Sequence, residues 1–159
     1  MRIGIYAGSF DPLTNGHLDI FERANVICDK VIIAVAKNIT KKTLFNIEER
    51  VEMIKECCGS VGNSEVTSFN GLLIDYCREK GVSVIIRGIR AIIDFDYEYA
   101  IALLNRRLLP EVETIFLVAN SEYSFISSSM VKEVAGYGGD VSTLVPQFVN
   151  DTLAKKLFK

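Results

Sequence analysis

The sequence predicts an α/β fold, a doubly wound sheet of five parallel strands. Short β-type runs alternate with helical patterns along the chain. Residues 30–36 form a near-continuous apolar run, the pattern of a parallel strand buried on both faces. The 159 residues are about one domain's worth of chain, so residues 1–159 are expected to form a single unit.

Residues 2–7 read as the first strand, stopped by Gly8. Residues 18–28 carry Ile20, Phe21, Ala24, Ile27 and Cys28 at helical spacing, and residues 30–36 give the second strand. Asn46 with Glu49 makes a capping pair before the helix stripe Ile47, Val51, Ile54 and Cys58. Residues 66–69 form a brief third strand, and the helix of residues 72–80 ends at Gly81, a left-handed cap position. Residues 82–86 are the fourth strand. Asp94 starts a helix with Tyr97, Ile101, Leu104 and Leu108 on one face, and Pro110 follows it. Residues 114–118 are the fifth strand. Two helices remain, near residues 128–135 and, opened by Pro146, over residues 147–157.

Strands separated by helices imply right-handed crossovers. The common order for such a chain is 3-2-1-4-5, a Rossmann-like arrangement that splits between strands one and four, where ligands bind. The segments to inspect are therefore residues 8–17, 38–44, 87–94 and 119–129.

Composition excludes several classes. Apolar residues at 49% and charged ones at 24% argue against disorder. Eighteen basic against twenty acidic residues leave no basic excess for a nucleic acid or a membrane surface. Any cations that bind phosphate must sit in a local site. The longest apolar run, residues 31–36, is far short of the ~20 residues that span a bilayer, and the N-terminus has no secretory pattern. Cys28, Cys57, Cys58 and Cys77 lack C-x-x-C spacing and stand beside a single histidine, poor material for a metal site. A cytoplasmic protein with reduced, mostly buried thiols is the reading.

The residues suited to chemistry fall in the segments above. Gly8 and Gly16 bracket the first strand-to-helix connection, which carries Ser9, Phe10 and a helix start suited to an anion. No G-x-G-x-x-G or P-loop pattern occurs. His17 falls on the stripe with Ile20, Phe21 and Ala24, so it is either a core histidine or a group aimed at the switch point. Asp11 before Pro12 reads as a turn former. Arg87 and Arg90 flank Gly88 and Ile89 straight after an apolar strand and suit forked binding of phosphate oxygens. Lys41 and Lys42 are weaker candidates, and Ser127, Ser128 and Ser129 either cap a helix or cradle a triphosphate. Phosphate-seeking devices with no serine-histidine-acid set point to phosphoryl or nucleotidyl transfer, driven by positioning and charge neutralisation.

The segment Gly8-Ser9-Phe10-Asp11-Pro12-Leu13-Thr14-Asn15-Gly16-His17 resembles the signature of nucleotidyltransferases with an H-x-G-H-type motif, here Thr14 to His17. From end to end the chain resembles the bacterial phosphopantetheine adenylyltransferase family. Arg87-Gly88-Ile89-Arg90, Asp94-Phe95-Asp96-Tyr97-Glu98 and the stretch from Ser124 to Glu133 make that resemblance more specific than the first motif.

The resemblance implies transfer of an adenylyl group from ATP to 4′-phosphopantetheine, giving dephospho-coenzyme A and pyrophosphate. It also implies Mg2+ held mainly by phosphates and water, a homohexamer, and coenzyme A as a competitor at the pantetheine site. By resemblance, Ser9 and Phe10 contact ATP and Ser9 also the acceptor phosphate. His17, Lys41 and Arg90 stabilise the transition state, and Lys41, Leu73 and Arg87 serve pantetheine. Gly88, Ile89, Arg90, Glu98, Tyr123, Ser124, Phe125, Ile126, Ser127, Ser128 and Ser129 serve ATP with His17. Leu73 and Glu98 rest on the resemblance alone. Ala7 stands where the family often has proline, and Tyr123 where a tryptophan occurs.

Two rivals stay open at this point. One is an adenylyltransferase acting on nicotinate mononucleotide; the other is a nucleotide-binding sensor without turnover. The apolar surplus on the fourth helix (Tyr99, Ala102 and Leu103 besides Ile101 and Leu104) exceeds what a one-sided surface helix needs, and suits a subunit contact.

Overall fold

In the computed structural model, which describes residues 1–37 and 42–158, strand and helix alternate as the sequence predicts. The order is β1 (Ile3–Gly8), α1 (Asn15–Ile27), β2 (Lys30–Ala36), α2 (Ile47–Cys58), β3 (Ser64–Phe69) and α3 (Leu73–Lys80). Then come β4 (Val84–Ile89), α4 (Ile92–Leu108), β5 (Glu113–Val118), α5 (Ser128–Gly136) and α6 (Gln147–Leu157). The five strands form one sheet in the order β3-β2-β1-β4-β5, with every pairing parallel. That is the predicted topology.

Side chains of alternate strand residues feed two cores, one on each face. Tyr6, Ile33 and Ile86 pack with Phe21 of α1, Phe45, Met53 and Ile54 of the α2 region, Val131 of α5 and Leu153 of α6. Ile5, Ile32, Ala34 and Ile85 face the other way, onto Ile74 and Cys77 of α3. Burial on both faces is why β2 reads as an unbroken apolar run. Truncating a fully buried isoleucine such as Ile33 or Ile86 to alanine would cost about 2–5 kcal/mol. No helix among the described residues is long and apolar enough to cross a membrane. Burial pushes the thiol of Cys58 up to about 12 and those of Cys57 and Cys77 to about 11, so all three stay protonated near neutral pH.

Four elements differ from the sequence reading by two residues or more, each for a physical reason, and the other limits agree to within one. α1 begins at Asn15 rather than residue 18, because Thr14 caps it. β3 begins at Ser64 rather than residue 66; as an edge strand it carries polar residues, and Glu65 accepts from Lys30 of β2 at 2.6 Å. β4 covers Val84–Ile89 rather than residues 82–86, because Arg87, Gly88 and Ile89 pair with Phe116, Leu117 and Val118 of β5. A glycine suits position 88: a Cβ there would lie 3.1 Å from Ile20 Cγ1, so its absence lets α1 lean on β4. α4 starts at Ile92, which puts Asp94 inside its first turn rather than before it. The Asn46–Glu49 capping box, the left-handed Gly81 and the limits of α6 are as predicted.

Candidate active site

A cavity of about 500 Å³ opens at the C-terminal edge of the sheet, between β1 and β4 where the strand order reverses. Its walls come from all four segments the sequence singles out: the β1–α1, β4–α4 and β5–α5 connections and, from residues 38–44, Lys42 and Thr43. Lys41 lies outside the described residues.

The β1–α1 connection is built rigidly. Phe10 adopts a positive φ of 46° and the Asp11–Pro12 bond is cis. The Phe10 ring is buried, edge-on to His17 at 5.1 Å and to Tyr6 at 5.4 Å. Asp11 is buried. Its Oδ1 accepts the Phe45 N–H at 2.9 Å, and its Oδ2 accepts the Leu44 N–H at 3.0 Å and the Lys132 ammonium at 2.6 Å. Arg50, also buried, donates to the Ser9 carbonyl at 2.7 Å. More than a turn former, Asp11 ties the motif loop to the start of α2 and to α5.

His17 combines both roles left open by the sequence. It occupies the third position of α1, where it completes a capping box with Thr14. The Thr14 backbone N–H donates to Nδ1 at 3.0 Å, and the His17 N–H returns to Thr14 Oγ1 at 3.4 Å. With Nδ1 accepting, the neutral ring carries its proton on Nε2. Burial, reinforced by the nearby charge of Arg90, lowers its pKa from 6.5 to about 4. At neutral pH this imidazole is a hydrogen-bond donor on the cavity wall.

Both arginines are held by carboxylates of α4. Arg87 Nε donates to Glu98 Oε2 at 2.6 Å, Nη2 to Oε1, and Nη1 to the Ala7 carbonyl at 2.8 Å. Burial alone would lower the Arg87 pKa, but the hydrogen bonds and charge of Glu98 outweigh it and raise the value. Arg90 Nε and Nη2 donate to Asp94 at 3.2 and 3.3 Å, and Nη1 donates to the Ile126 carbonyl at 3.1 Å. Glu98, chosen by resemblance alone, thus lines the cavity as the partner of Arg87.

The serines fill their capping role and still line the cavity. Ser127 Oγ accepts the Met130 N–H at 3.1 Å as the cap of α5, and Ser128 Oγ donates to the Pro12 carbonyl at 2.7 Å. The positive end of α5 therefore faces the same space as the first turn of α1. Ser9, Phe10, Gly88, Tyr123, Ile126 and Ser129 also contribute to the walls. Leu73, Ile89, Ser124 and Phe125 do not. Leu73 packs beside the core under α3, Ile89 is buried in β4, the Ser124 hydroxyl turns to the Ser121 carbonyl, and Phe125 is exposed.

Sequence reasoning missed Asp94, Lys132 and the clamping role of Asp11. Only the four-residue spacing of Arg90 and Asp94, within reach on a helix start, was visible in the chain. The three carboxylates of the cavity, Asp11, Asp94 and Glu98, are each paired with a cation. The arrangement is therefore suited to gripping anions and stabilising developing negative charge, rather than to removing protons.

Residues 5–134 match the cytidylyltransferase-like family. The chain is 55% identical over 156 residues to the phosphopantetheine adenylyltransferase of Alkaliphilus metalliredigens, covering 98% of this chain and 99% of that protein. It is also 55% identical over 159 residues to the enzyme of that name from Carboxydothermus hydrogenoformans, covering 100% and 98% of the two chains. A solved bifunctional NMN adenylyltransferase/ADP ribose pyrophosphatase from Francisella tularensis shares the fold. Its TM-score is 0.73 at 18% identity, over 97% of this chain and 49% of that one. Cytidylyltransferase-like over most of its length and more than half identical to these full-length relatives, the chain belongs to the phosphopantetheine adenylyltransferase family.

Proposed function

We propose that the protein transfers the adenylyl group of ATP to 4′-phosphopantetheine, giving dephospho-coenzyme A and pyrophosphate. The observation that carries this reading is the convergence of a neutral His17, two arginines and two helix N-termini on one cavity at the switch point. Full-length identity to relatives of that name supports the choice of acceptor.

An oxygen of the acceptor phosphate attacks the α-phosphorus in line. The new P–O bond forms as the bond to the bridging oxygen breaks, and that electron pair leaves with pyrophosphate. His17, through its Nε2–H, and Arg90 meet the charge that builds on the phosphate oxygens, and Lys41 is assigned the same task. Arg87 and Lys41 serve the acceptor, and Leu73, outside the cavity wall, is assigned to its pantetheine arm by resemblance alone. Ser9, Phe10, Gly88, Ile89 and the residues from Tyr123 to Ser129 serve the nucleotide, and Glu98, which the resemblance puts on that side, steadies Arg87.

The cavity carboxylates are already matched by cations, so a magnesium ion fits here as one carried in by the ATP phosphates and water. Its chemistry is to offset phosphate charge. The exposed apolar residues of α4, including Tyr97, Leu103, Leu104 and Leu108, suit the subunit contact of a homohexamer. Cytoplasmic location and competition by coenzyme A belong to the same reading.

Pyrophosphate release, measured with ATP and each acceptor in turn, tests the proposal. Turnover with 4′-phosphopantetheine is expected. Turnover with nicotinate mononucleotide only, or nucleotide binding without turnover, would overturn it.

A further inference from the structure

The two site arginines are held in the same way. Each gives the Nε–Nη2 edge of its guanidinium to a carboxylate of α4, Glu98 for Arg87 and Asp94 for Arg90, and one Nη1–H to a backbone carbonyl. A guanidinium has five N–H groups, so two remain on each arginine, one on either Nη. Asp94 and Glu98 are four residues apart and share one face of the helix.

We propose that Asp94 is the positioning residue for Arg90, fixing its guanidinium so that the remaining N–H groups meet the phosphates of the nucleotide. The proposal rests on the adenylyl-transfer reading. An unrestrained arginine must give up its rotamer freedom when it closes on a phosphate. Held by Asp94, Arg90 has given it up before the nucleotide arrives. Asp94 also accepts the backbone N–H of Arg90 at 3.3 Å, so it fixes the root of the side chain as well as its end. The Ile126 carbonyl holds Nη1 from the segment that leads into the Ser127 cap, so Arg90 joins two walls of the cavity.

A purely structural role fits the geometry less well. The Arg90 side chain is 42% exposed, and exposed pairs four residues apart contribute little to folding. The first turn of α4 already favours a carboxylate, so Asp94 needs no arginine for its own sake. A third role, a counter-charge that merely weakens the cavity's pull on phosphate, predicts the opposite sign: its removal would tighten nucleotide binding.

The test compares Asp94→Asn, Asp94→Glu, Arg90→Lys and the Arg90→Lys/Asp94→Asn double variant with wild type, and uses Asp96→Asn, an exposed carboxylate on α4, as control. Pyrophosphate release over ranges of ATP and of 4′-phosphopantetheine concentration, and thermal melting, are read on each. Asp94→Asn is expected to lower kcat by roughly tenfold to a hundredfold, the scale of a misplaced catalytic contact. The KM for 4′-phosphopantetheine should stay within about threefold, a change that removal of uniform binding would exceed. Melting should shift by no more than roughly 4 °C. Asp94→Glu should recover part of the loss, and in the Arg90→Lys background Asp94→Asn should cost little more. Tighter ATP binding with undiminished kcat, or a large drop in melting temperature with turnover per folded molecule kept, would overturn the proposal. Full activity of Arg90→Lys would instead remove the phosphate role of Arg90, and the proposal with it. An inactive Arg90→Lys beside a fully active Asp94→Asn would end the positioning claim and leave the adenylyl-transfer reading standing.

Discussion

The two sides of the cavity are held by different means. On the β1–α1 side, the buried Asp11 and Arg50 and the half-buried His17 are fixed largely by backbone: Asp11 by two N–H groups besides Lys132, Arg50 by the Ser9 and Asn46 carbonyls, His17 by the Thr14 N–H. On the β4–α4 side, two arginines are fixed mainly by side-chain carboxylates and are more open to solvent, Arg90 most of all. Backbone partners cannot be removed by substitution or titrated near neutral pH, so the first side has one arrangement. The second is held by charges that an incoming phosphate can rival. The difference divides the labour: the rigid side presents a donor to the reacting centre, and the ionic side receives the charged arms of the substrates.

The largest expected effect breaks the rigid side. His17→Ala should fold, bind ATP within several-fold of wild type, and lose on the order of 10²–10³ in turnover, as when one transition-state donor is removed. Single-turnover rates and thermal melting on the same preparation decide. A folded, fully active variant would end the catalytic role, and lowered stability with turnover kept would leave His17 a capping residue only.

A smaller effect sharpens the ionic side. Arg87→Ala should raise the KM for 4′-phosphopantetheine by about tenfold, and more than that for ATP. It also strands Glu98, whose side chain is 12% exposed, so stability should fall by roughly 1–3 kcal/mol. Adding Glu98→Gln should restore the melting temperature but not the KM. Equal changes in both KM values would refute the acceptor-side role of Arg87.

The smallest effect concerns protons. The His17 pKa falls from 6.5 in the unfolded chain to about 4 in the folded one, so between those values the unfolded state binds more protons. Its contribution is complete above about pH 6.5 and is lost as the pH drops toward 4, with a slope of at most roughly 1 kcal/mol per pH unit. Urea titrations of wild type and His17→Asn should diverge in that window. Glu65, held below its ordinary 4.5 by the hydrogen bond from Lys30, acts lower and is common to both proteins. Identical pH profiles would show that His17 is not kept neutral by the fold.

Much of this architecture was legible in the chain because it depends on local pattern. The apolar run of residues 31–36 marks a strand covered on both faces, and the breaks at Gly8 and Gly81 mark element ends. The position of His17 beside a helix start marks it for the switch point, where it lines the cavity. What was not legible is partnership. Nothing in the sequence says that Asp11 meets Lys132, 121 residues on, or that Glu98 rather than solvent neutralises Arg87, because those pairs exist only after the helices have packed against the sheet. The strand limits at Ser64 and Ile89 were missed because polar and charged residues there take part in the ladder, which an apolar pattern cannot register.

The sheet pairings also differ in how much chain they enclose. Ile3 pairs with Lys30, Val31 with Ser64 and Val84 with Glu113, each across a single helical crossover. Gly4 pairs with Val84, and this junction of β1 and β4 alone encloses three helices and two strands. Closing the longest loop carries the largest entropy cost before any contact rewards it, and non-local pairing is what slows folding. His17 and Arg90 come from opposite sides of that junction. The capacity to grip a nucleotide is therefore expected to return late in refolding, after most helical signal, an order that time-resolved circular dichroism alongside a fluorescent ATP analogue would reveal or refute. A chain halted with its two half-sheets formed but unjoined would have most of its secondary structure and no site at all.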